Sequence, residues 1–242
     1  AVTVKTRFDV IGVECTEDNR RDYRELLFRS KGMANISGVI LFDETIRQKA
    51  KDGTPLVKVI EAAGTLPGIK VDKGVRPLPF CPGEVITEGL DGLGERLAEY
   101  RELGARFAKW RAVIDIGAGI PSYACINANA HALARYAALC QSEDIVPIVE
   151  PEVLMDGDHD IDRCAEVTEF ALKALYEQLY YARVKIEGTV LKPNMVVPGK
   201  KSAKQASVAE VAEKTVRALN ECVPAAAPGV AFLSGGQSDV DA

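Results

Sequence analysis

The sequence predicts an α/β fold of the (β/α)8 TIM-barrel class, and three observations support this prediction. Short apolar runs rich in valine and isoleucine recur along the 242 residues, helical patterns separate them, and pairs of polar residues accompany several runs. Strands that alternate with helices form right-handed βαβ units and a parallel sheet. No linker or low-complexity segment interrupts the alternation, so we expect residues 1–242 to form a single domain.

Six apolar runs are predicted to be buried strands, because each is short and rich in strand-forming residues. In chain order they are GVILF (38–42), GIKVD (68–72), FAKWRAVI (107–114), IVPIVEPEV (145–153), TVLKPNM (189–195) and GVAFLSGG (229–236). Each is interpreted as one strand of the parallel sheet.

Helical patterns are predicted between these runs. They cover 16–29, 91–103, 122–142, 159–181 and a segment that begins at Ser207. In 159–181, Leu172, Leu175 and Leu179 fall on one stripe, as in a helix that packs on a core. Ser207 is followed three residues later by Glu210, the capping-box spacing of a helix N-terminus.

Two architectures fit this alternation, an open doubly wound sheet and a closed barrel. A dinucleotide-binding open sheet carries G-x-G-x-x-G after its first strand, and this motif follows none of the predicted strands. Polar pairs spaced two residues apart accompany four consecutive strands instead: Lys70 and Asp72, Lys109 and Arg111, Glu150 and Glu152, and Lys192 and Asn194. Residues i and i+2 share one face of a strand, so these pairs predict a barrel with a polar mouth.

Composition argues against several classes of protein. A formal charge of -5 disfavours a broad nucleic-acid-binding surface, because phosphate-backbone binders carry a basic face. The six cysteines contain no C-x-x-C pair and are expected to be small, reduced core residues of an intracellular protein. No apolar run approaches the roughly 18 residues that span a bilayer. We therefore expect neither a nucleic-acid partner nor a membrane.

Lys192 stands in the middle of the apolar run TVLKPNM, where a charged amine is costly unless it is used. Such a lysine is more often a side chain whose amine simply reaches water. A lysine amine is nucleophilic only when unprotonated, a state that burial and a second cation such as Lys109 favour. Glu150 or Glu152 could donate the proton when a carbinolamine loses water. These residues predict Schiff-base carbon–carbon bond chemistry without a metal or cofactor.

Two further features have a structural and a functional interpretation. Leu-Ser-Gly-Gly-Gln (233–237) is usually a plain turn, but after the seventh strand of a barrel its N–H groups would cradle a phosphate. His131 and His159 are interpreted as a helix-face residue and a residue near a helix start. A catalytic zinc normally takes three protein ligands, often histidines, so two histidines make a zinc site unattractive.

Eight segments resemble the class I fructose-bisphosphate aldolases, in the family's order and spacing from about Thr16 to the last residue. They are GVILFDET, PGIKVDKG, EGLDGL, ARFAKWR, LARYAALCQ, IVPIVEPEVLMDGDHD, EGTVLKPNMVVPG and GVAFLSGGQS. The resemblance implies reversible, metal-independent cleavage of fructose 1,6-bisphosphate to dihydroxyacetone phosphate and glyceraldehyde 3-phosphate, as in glycolysis and gluconeogenesis. It also implies a homotetramer in the cytoplasm, although a processed plastid form would look the same.

The resemblance further implies a catalytic role for four residues. Lys192 matches the Schiff-base lysine, and Glu150 matches the acid/base of carbinolamine dehydration. Glu152 would support the lysine and its charge network. Lys109 matches the second catalytic lysine, which stabilises oxyanion character in the intermediates.

Five more residues match binding positions of the family. Lys70 and Arg111 would hold the phosphate on the aldehyde half of the substrate, with Asp72 as the charge partner of Lys70. Ser234 and Gly235 would cradle the phosphate on the ketone half.

The sequence also departs from the family pattern. The six predicted strands match the second to the seventh strand of the barrel, so strands 1 and 8 are expected to be missing from these 242 residues. Three residues of the family are expected to be missing as well: a general-base aspartate, an arginine of the ketone-phosphate site and the C-terminal tyrosine. We expect the sequence to be a partial record of a longer chain, or a fragment.

Two alternative functions stay open at this stage. One is another Schiff-base aldolase that acts on a sugar monophosphate. The other is a non-catalytic, aldolase-like scaffold whose cationic mouth binds acidic segments of a cytoskeletal partner.

Overall fold

The computed structural model describes residues 2–238 and 240–242. Its strands are β1 (Gly38–Leu41), β2 (Leu66–Lys70), β3 (Val75–Pro77), β4 (Val85–Thr87), β5 (Phe107–Ile114), β6 (Val146–Val153) and β7 (Val190–Leu191). Five of them form a parallel sheet in the order β1-β2-β5-β6-β7. This order never reverses, so the sheet lacks the switch point of a doubly wound fold and has the strand order of a (β/α)8 barrel.

The last two predicted strands are shorter in the structure than in the sequence-based prediction. The run 189–195 contributes only Val190 and Leu191 to the sheet, and the run 229–236 makes a single parallel bridge between Val230 and Leu191. Pro193 has no N–H to donate, so the ladder ends before it. Within the described residues the sheet does not close, because β1 and the bridge at Val230 lie at its two edges.

All five predicted helices are present, with boundaries within two residues of the prediction. The helices are α1 (Val2–Val10), α2 (Glu17–Phe28), α3 (Asp43–Arg47), α4 (Leu56–Ala62), α5 (Leu93–Glu102), α6 (Tyr123–Ser142), α7 (Ile161–Tyr181) and α8 (Val208–Cys222). Short 3-10 helices cover Lys31–Asn35 and Ile186–Gly188. The hydroxyl of Ser207 accepts a hydrogen bond from the N–H of Glu210, so the predicted helix start at Ser207 is confirmed.

The sequence did not predict α1, α3 or α4. These helices have 9, 5 and 7 residues. A stripe of apolar residues needs about two turns before its period can be distinguished from a strand pattern. Tertiary packing therefore decides such short elements, and three of the seven residues of α4 are β-branched, which by propensity favours a strand.

An antiparallel hairpin of β3 and β4 follows β2 and was also not predicted. Asn129 of α6 holds it by donating to the carbonyl oxygen of Val85 at 2.9 Å. The hydroxyl of Thr87 donates to the carbonyl oxygen of Arg111 at 2.7 Å. The hairpin is thereby attached both to an outer helix and to the C-terminal part of β5.

The cysteines lie in the core less uniformly than expected. Within the described residues none forms a disulfide; Cys125, Cys140, Cys164 and Cys222 are buried, whereas Cys15 and Cys81 are partly exposed. Burial raises the pKa of the Cys125 thiol to about 12, so it stays protonated and unreactive. Among the described residues, no helix has the length and apolar character needed to cross a membrane.

Helices α2 and α3 are joined by a partly buried cluster of charges. Glu44 accepts hydrogen bonds from the guanidinium groups of Arg20 and Arg24 at 2.6 and 3.3 Å. The side chains of Arg20 and Glu44 are 20% and 22% exposed, so solvent screens this pair only partly. The hydrogen bond from Arg20 is the main cause that holds the pKa of Glu44 below its ordinary value of 4.5.

We predict that Glu44→Gln lowers the free energy of unfolding at neutral pH by about 2 kcal/mol, because hydrogen bonds to a charged group are lost. The pKa of Glu44 is lower in the folded than in the unfolded chain. The pair therefore stabilises the fold above the unfolded value and ceases to do so as the pH falls through the folded value. Urea unfolding at neutral pH and at about pH 3 measures both effects. Asp9→Asn, in the exposed Lys5–Asp9 pair, is the control; a difference that persists in acid would contradict the prediction.

Candidate active site

Strand β5 alternates strictly between its two faces. Its even-numbered residues are buried and its odd-numbered residues are partly exposed. Among the buried ones, Trp110 stacks on Tyr136 of α6, with ring centroids 5.6 Å apart. Successive side chains of a strand point to opposite faces, so Lys109 and Arg111, on either side of Trp110, face away from the helix, toward the interior of the barrel arc.

Strand β6 places a carboxylate beside each of these cations. Nζ of Lys109 lies 3.0 Å from Oε2 of Glu150, and Nε of Arg111 contacts Oε2 of Glu152. In the strand register, Lys109 is opposite Ile148 and Arg111 is opposite Glu150. Each cation thus reaches the carboxylate two positions beyond its register partner, which is a diagonal contact on one face of the sheet.

Lys192 reaches Glu150 from the next strand. The N–H of Lys192 donates to the carbonyl oxygen of Val149 at 2.8 Å, which continues the pairing of β6 with β7 by one residue. Nζ of Lys192 contacts Oε1 of Glu150. The Glu150 side chain is 4% exposed and that of Lys192 is 24% exposed. A ligand can therefore reach the amine, whereas the carboxylate is shielded from solvent.

Asp72 extends the arrangement toward β2. Its Oδ1 accepts hydrogen bonds from Nζ of Lys70 and, at 3.2 Å, from the N–H of Gly74. Its Oδ2 lies 4.0 Å from Nζ of Lys109. We refer to five residues that alternate in charge across four neighbouring strands and the residues just after them as the ion-pair row: Lys70, Asp72, Lys109, Glu150 and Lys192. Three lysines against two carboxylates leave a positive charge, which favours an anionic ligand.

The glycine turn after β7 packs on the segment that follows Lys192. Gly235 and Gly236 have φ of +62° and +78°, a left-handed conformation that favours glycine. A Cβ on Gly235 would lie 2.8 Å from Cβ of Met195, so a larger residue would not fit there. Ser234 is exposed, and its carbonyl oxygen accepts from the N–H of Gln237 at 3.1 Å. The turn borders a small cavity of about 150 Å³.

The two histidines lie outside the ion-pair row. His131 is on the exposed face of α6, with Nδ1 3.2 Å from Oε1 of Gln178 on α7. His159 is buried just before α7, and burial lowers its pKa. In the part of the chain that the structure describes, no three His, Cys, Asp or Glu side chains are grouped as metal ligands would be.

A family model described as fructose-bisphosphate aldolase class-I matches residues 1–242. The chain belongs to the class I fructose-bisphosphate aldolases. It is 62% identical over 238 residues to a probable fructose-bisphosphate aldolase class 1 of Xanthomonas campestris, a match that covers 98% of this chain and 71% of the relative. It is 56% identical over 241 residues to fructose-bisphosphate aldolase 6, cytosolic, of Arabidopsis thaliana, covering 99% and 67% of the two chains.

A solved structure agrees with this assignment. A fructose-bisphosphate aldolase of Plasmodium falciparum, in complex with TRAP and a small molecule inhibitor, superposes with a TM-score of 0.96 at 48% identity. The match covers 99% of this chain and 70% of that one. The predicted barrel class, family and lyase activity on fructose 1,6-bisphosphate are thereby confirmed.

Two contacts of the predicted site residues were not foreseen from the sequence. Glu152 contacts Arg111, a residue of the predicted phosphate site, and among the ion pairs of the described residues none joins Glu152 to Lys192. Lys109 and Lys192 contact the two oxygens of the same carboxylate, that of Glu150. A single carboxylate therefore connects the two lysines that the sequence predicted to act on each other.

Asn194 also lies elsewhere than expected. Its Nδ2 donates to Oγ1 of Thr168 on α7 at 2.9 Å, and its Oδ1 accepts from the N–H of Val153 at 3.3 Å. It therefore faces the outer helix and fastens the end of β6. The i, i+2 rule fails here because β7 ends at Leu191 and the following residues are not a strand.

Two supporting residues were missed by the sequence-based prediction. The N–H of Gly74 holds Asp72, and the hydroxyl of Thr87 holds the main chain of Arg111. Both belong to the segment of the unpredicted hairpin. Gly74, which follows the charged residues after β2, was the available signal for a turn at this place.

Proposed function

We propose that Lys192 forms the Schiff base with the ketone carbon of fructose 1,6-bisphosphate. The contact between Nζ of Lys192 and the buried carboxylate of Glu150 is the observation that carries this proposal. Glu150 accepts a proton from the ammonium group, which leaves a neutral amine to attack the ketone. The new C–N bond gives a carbinolamine, whose oxygen takes up the proton that the nitrogen loses.

Glu150 then acts as an acid. It returns its proton to the carbinolamine hydroxyl, the C–O bond breaks, and water and an iminium result. A base takes the proton of the C4 hydroxyl, a role that the resemblance assigns to the family's general-base aspartate, and the electron pair of the C3–C4 bond moves into the iminium. Glyceraldehyde 3-phosphate leaves, and an enamine stays on Lys192. Protonation of C3 and hydrolysis of the iminium release dihydroxyacetone phosphate and restore the amine.

Lys109 is proposed as the second catalytic lysine. Its amine lies 3.0 Å from Glu150, and its side chain is only 13% exposed. In a site of low dielectric constant, a fixed cation stabilises negative charge that develops on an oxygen of the intermediates more strongly than it would in water.

Two groups of residues are proposed to bind the two phosphates. Lys70 and Arg111 would bind the phosphate of the aldehyde half, since their side chains are 35% and 39% exposed while their partner carboxylates lie deeper. The guanidinium of Arg111 can bind a phosphate through two parallel hydrogen bonds. Ser234 and Gly235 would bind the phosphate of the ketone half through the N–H groups of the turn.

We predict that borohydride traps dihydroxyacetone phosphate as a covalent adduct on Lys192. Reduction converts the iminium to a stable secondary amine, which peptide mass spectrometry locates. Lys192→Met removes the adduct, whereas Lys173→Met, at a lysine of α7 that is 59% exposed, leaves it unchanged. EDTA is expected to have no effect on the yield. An unmodified Lys192 in the wild-type protein would favour the non-catalytic scaffold function.

We predict that Arg111→Met weakens the use of fructose 1,6-bisphosphate selectively. The kcat/KM for this substrate should fall by about tenfold or more, the loss expected when a charged phosphate contact is removed. Fructose 1-phosphate has no phosphate on the aldehyde half, so its kcat/KM should change by less than about threefold. An equal loss with both substrates would mean that Arg111 does not bind the phosphate of the aldehyde half, and it would support the sugar-monophosphate alternative.

The assembly and the compartment of this aldolase are further proposals. The family resemblance supports a homotetramer, and the Arabidopsis relative that is named as cytosolic supports a cytoplasmic location. Sedimentation equilibrium is expected to give four times the mass of one chain; a monomer mass would contradict the tetramer.

Protein binding at the cationic mouth is a second proposed function. The Plasmodium relative, solved in complex with TRAP, supports it, because an aldolase of the family is seen there with a bound partner. An acidic cytoskeletal segment is the partner that the net positive ion-pair row would attract.

A further inference from the structure

Asp72 is buried between two lysines but is bonded to only one of them. Its side chain is 4% exposed. Its Oδ1 accepts from Lys70, whereas its Oδ2 is buried and has no hydrogen-bond partner. The nearest cation to Oδ2 is Lys109, at 4.0 Å. A buried carboxylate oxygen without a partner is costly, so this oxygen is a ready acceptor for any donor that moves toward it.

The amine of Lys109 lies between two buried carboxylate oxygens that lack a hydrogen-bond partner, Oδ2 of Asp72 and Oε2 of Glu150. Oε2 of Glu150 lies 3.0 Å from its amine, yet this oxygen also lacks a hydrogen bond of good geometry. A shift of the amine by about 1 Å on its flexible stem would exchange Glu150 for Asp72 as the closer partner. Two arrangements of Lys109 are therefore available, and the charge on Asp72 selects between them.

The charge on Asp72 is neutralised mainly by Lys70. Nζ of Lys70 bonds both to Oδ1 and, at 3.0 Å, to the carbonyl oxygen of Asp72. The Lys70 side chain is 35% exposed, so a substrate phosphate can reach its amine. A phosphate dianion would draw Lys70 away from Asp72 and leave this buried carboxylate undercompensated. Lys109 is then the cation that can move to replace Lys70.

We infer that Asp72 is a positioning residue that couples phosphate binding at Lys70 to Schiff-base formation at Lys192. This inference rests on the proposed function of Lys192 and Lys70. Phosphate binding releases Asp72 from Lys70, and Lys109 moves toward Asp72. Glu150 loses a neighbouring cation and becomes a stronger base toward the ammonium group of Lys192. The phosphate of the aldehyde half thus speeds the first chemical step and does not serve for binding alone.

The test compares two substrates that differ only in this phosphate. The rate at which a borohydride-trappable adduct forms on Lys192 is measured by intact mass, at saturating fructose 1,6-bisphosphate or fructose 1-phosphate. We expect the bisphosphate to react about tenfold faster in the wild-type protein, equivalent to roughly 1.4 kcal/mol. Equal rates in the wild type would overturn the inference.

Asp72→Asn keeps the shape of the side chain and removes its charge. The bisphosphate rate should fall about tenfold, to the level of the monophosphate, while the monophosphate rate stays within about twofold of wild type. A merely structural role would slow both substrates alike, and a role in binding alone would raise KM without changing the saturated rate. Either result would contradict the coupling. Asp52→Asn, in a pair with Arg29 that is largely exposed, is the matched control and should change neither rate.

Lys70→Met provides a second test, which does not depend on whether Asp72→Asn folds. Without Lys70, Lys109 is the only one of these two lysines left to pair with Asp72, so the arrangement induced by phosphate becomes permanent. The adduct with fructose 1-phosphate should then form several-fold faster than in wild type, and an unchanged or slower rate would overturn the inference. Fluorescence of Trp110, the single tryptophan, reports folding of both variants.

Dihydroxyacetone phosphate separates failure of the coupling from failure of the proposed function. It lacks the aldehyde half and cannot engage Lys70, so it should be trapped equally in wild type and Asp72→Asn. If the wild type does not trap it on Lys192, the proposed function fails. If the wild type traps it but Asp72→Asn does not remove the difference between the two sugar phosphates, only the coupling fails.

Discussion

The carboxylate of Glu150, held between two lysine amines, is the interaction on which the rest of the site depends. A buried carboxylate is tolerated only when it is paired, and Lys109 and Lys192 occupy its two oxygens. This pairing requires β5, β6 and the residue that follows β7 to bring Lys109, Glu150 and Lys192 to one place. The parallel register of β5 and β6 and the single added residue beyond β7 provide that alignment.

The scaffold behind the site explains why these charges stay in position. β5 buries Trp110 against α6 on one face while it presents Lys109 and Arg111 on the other, so one strand serves both the core and the site. The hydroxyl of Tyr136 donates to the carbonyl oxygen of Ile148 at 3.3 Å, and α6 thereby contacts β6 as well. Packing of a single helix thus fixes two of the strands that carry charged side chains.

Much of this arrangement could be predicted from sequence, because it follows from short-range periodicity. Strand β5 was predicted with its observed bounds, and its alternation places Lys109 and Arg111 on one face, as their spacing predicts. Asn194 has the same spacing from Lys192 but faces α7, since the backbone leaves the strand conformation after Leu191. Spacing predicts a shared face only where the strand continues, and the sequence does not mark where pairing stops.

The sequence by itself determined the order of the parallel strands and of the longer helices, the family and the identity of the charged residues, because these depend on local pattern and residue type. Only the tertiary structure decided which carboxylate each cation contacts. Arg111 contacts Glu152, Lys109 and Lys192 share Glu150, and Oδ2 of Asp72 is left without a partner. These choices depend on the stagger between neighbouring strands, which arises from packing across the sheet and is invisible along a single strand.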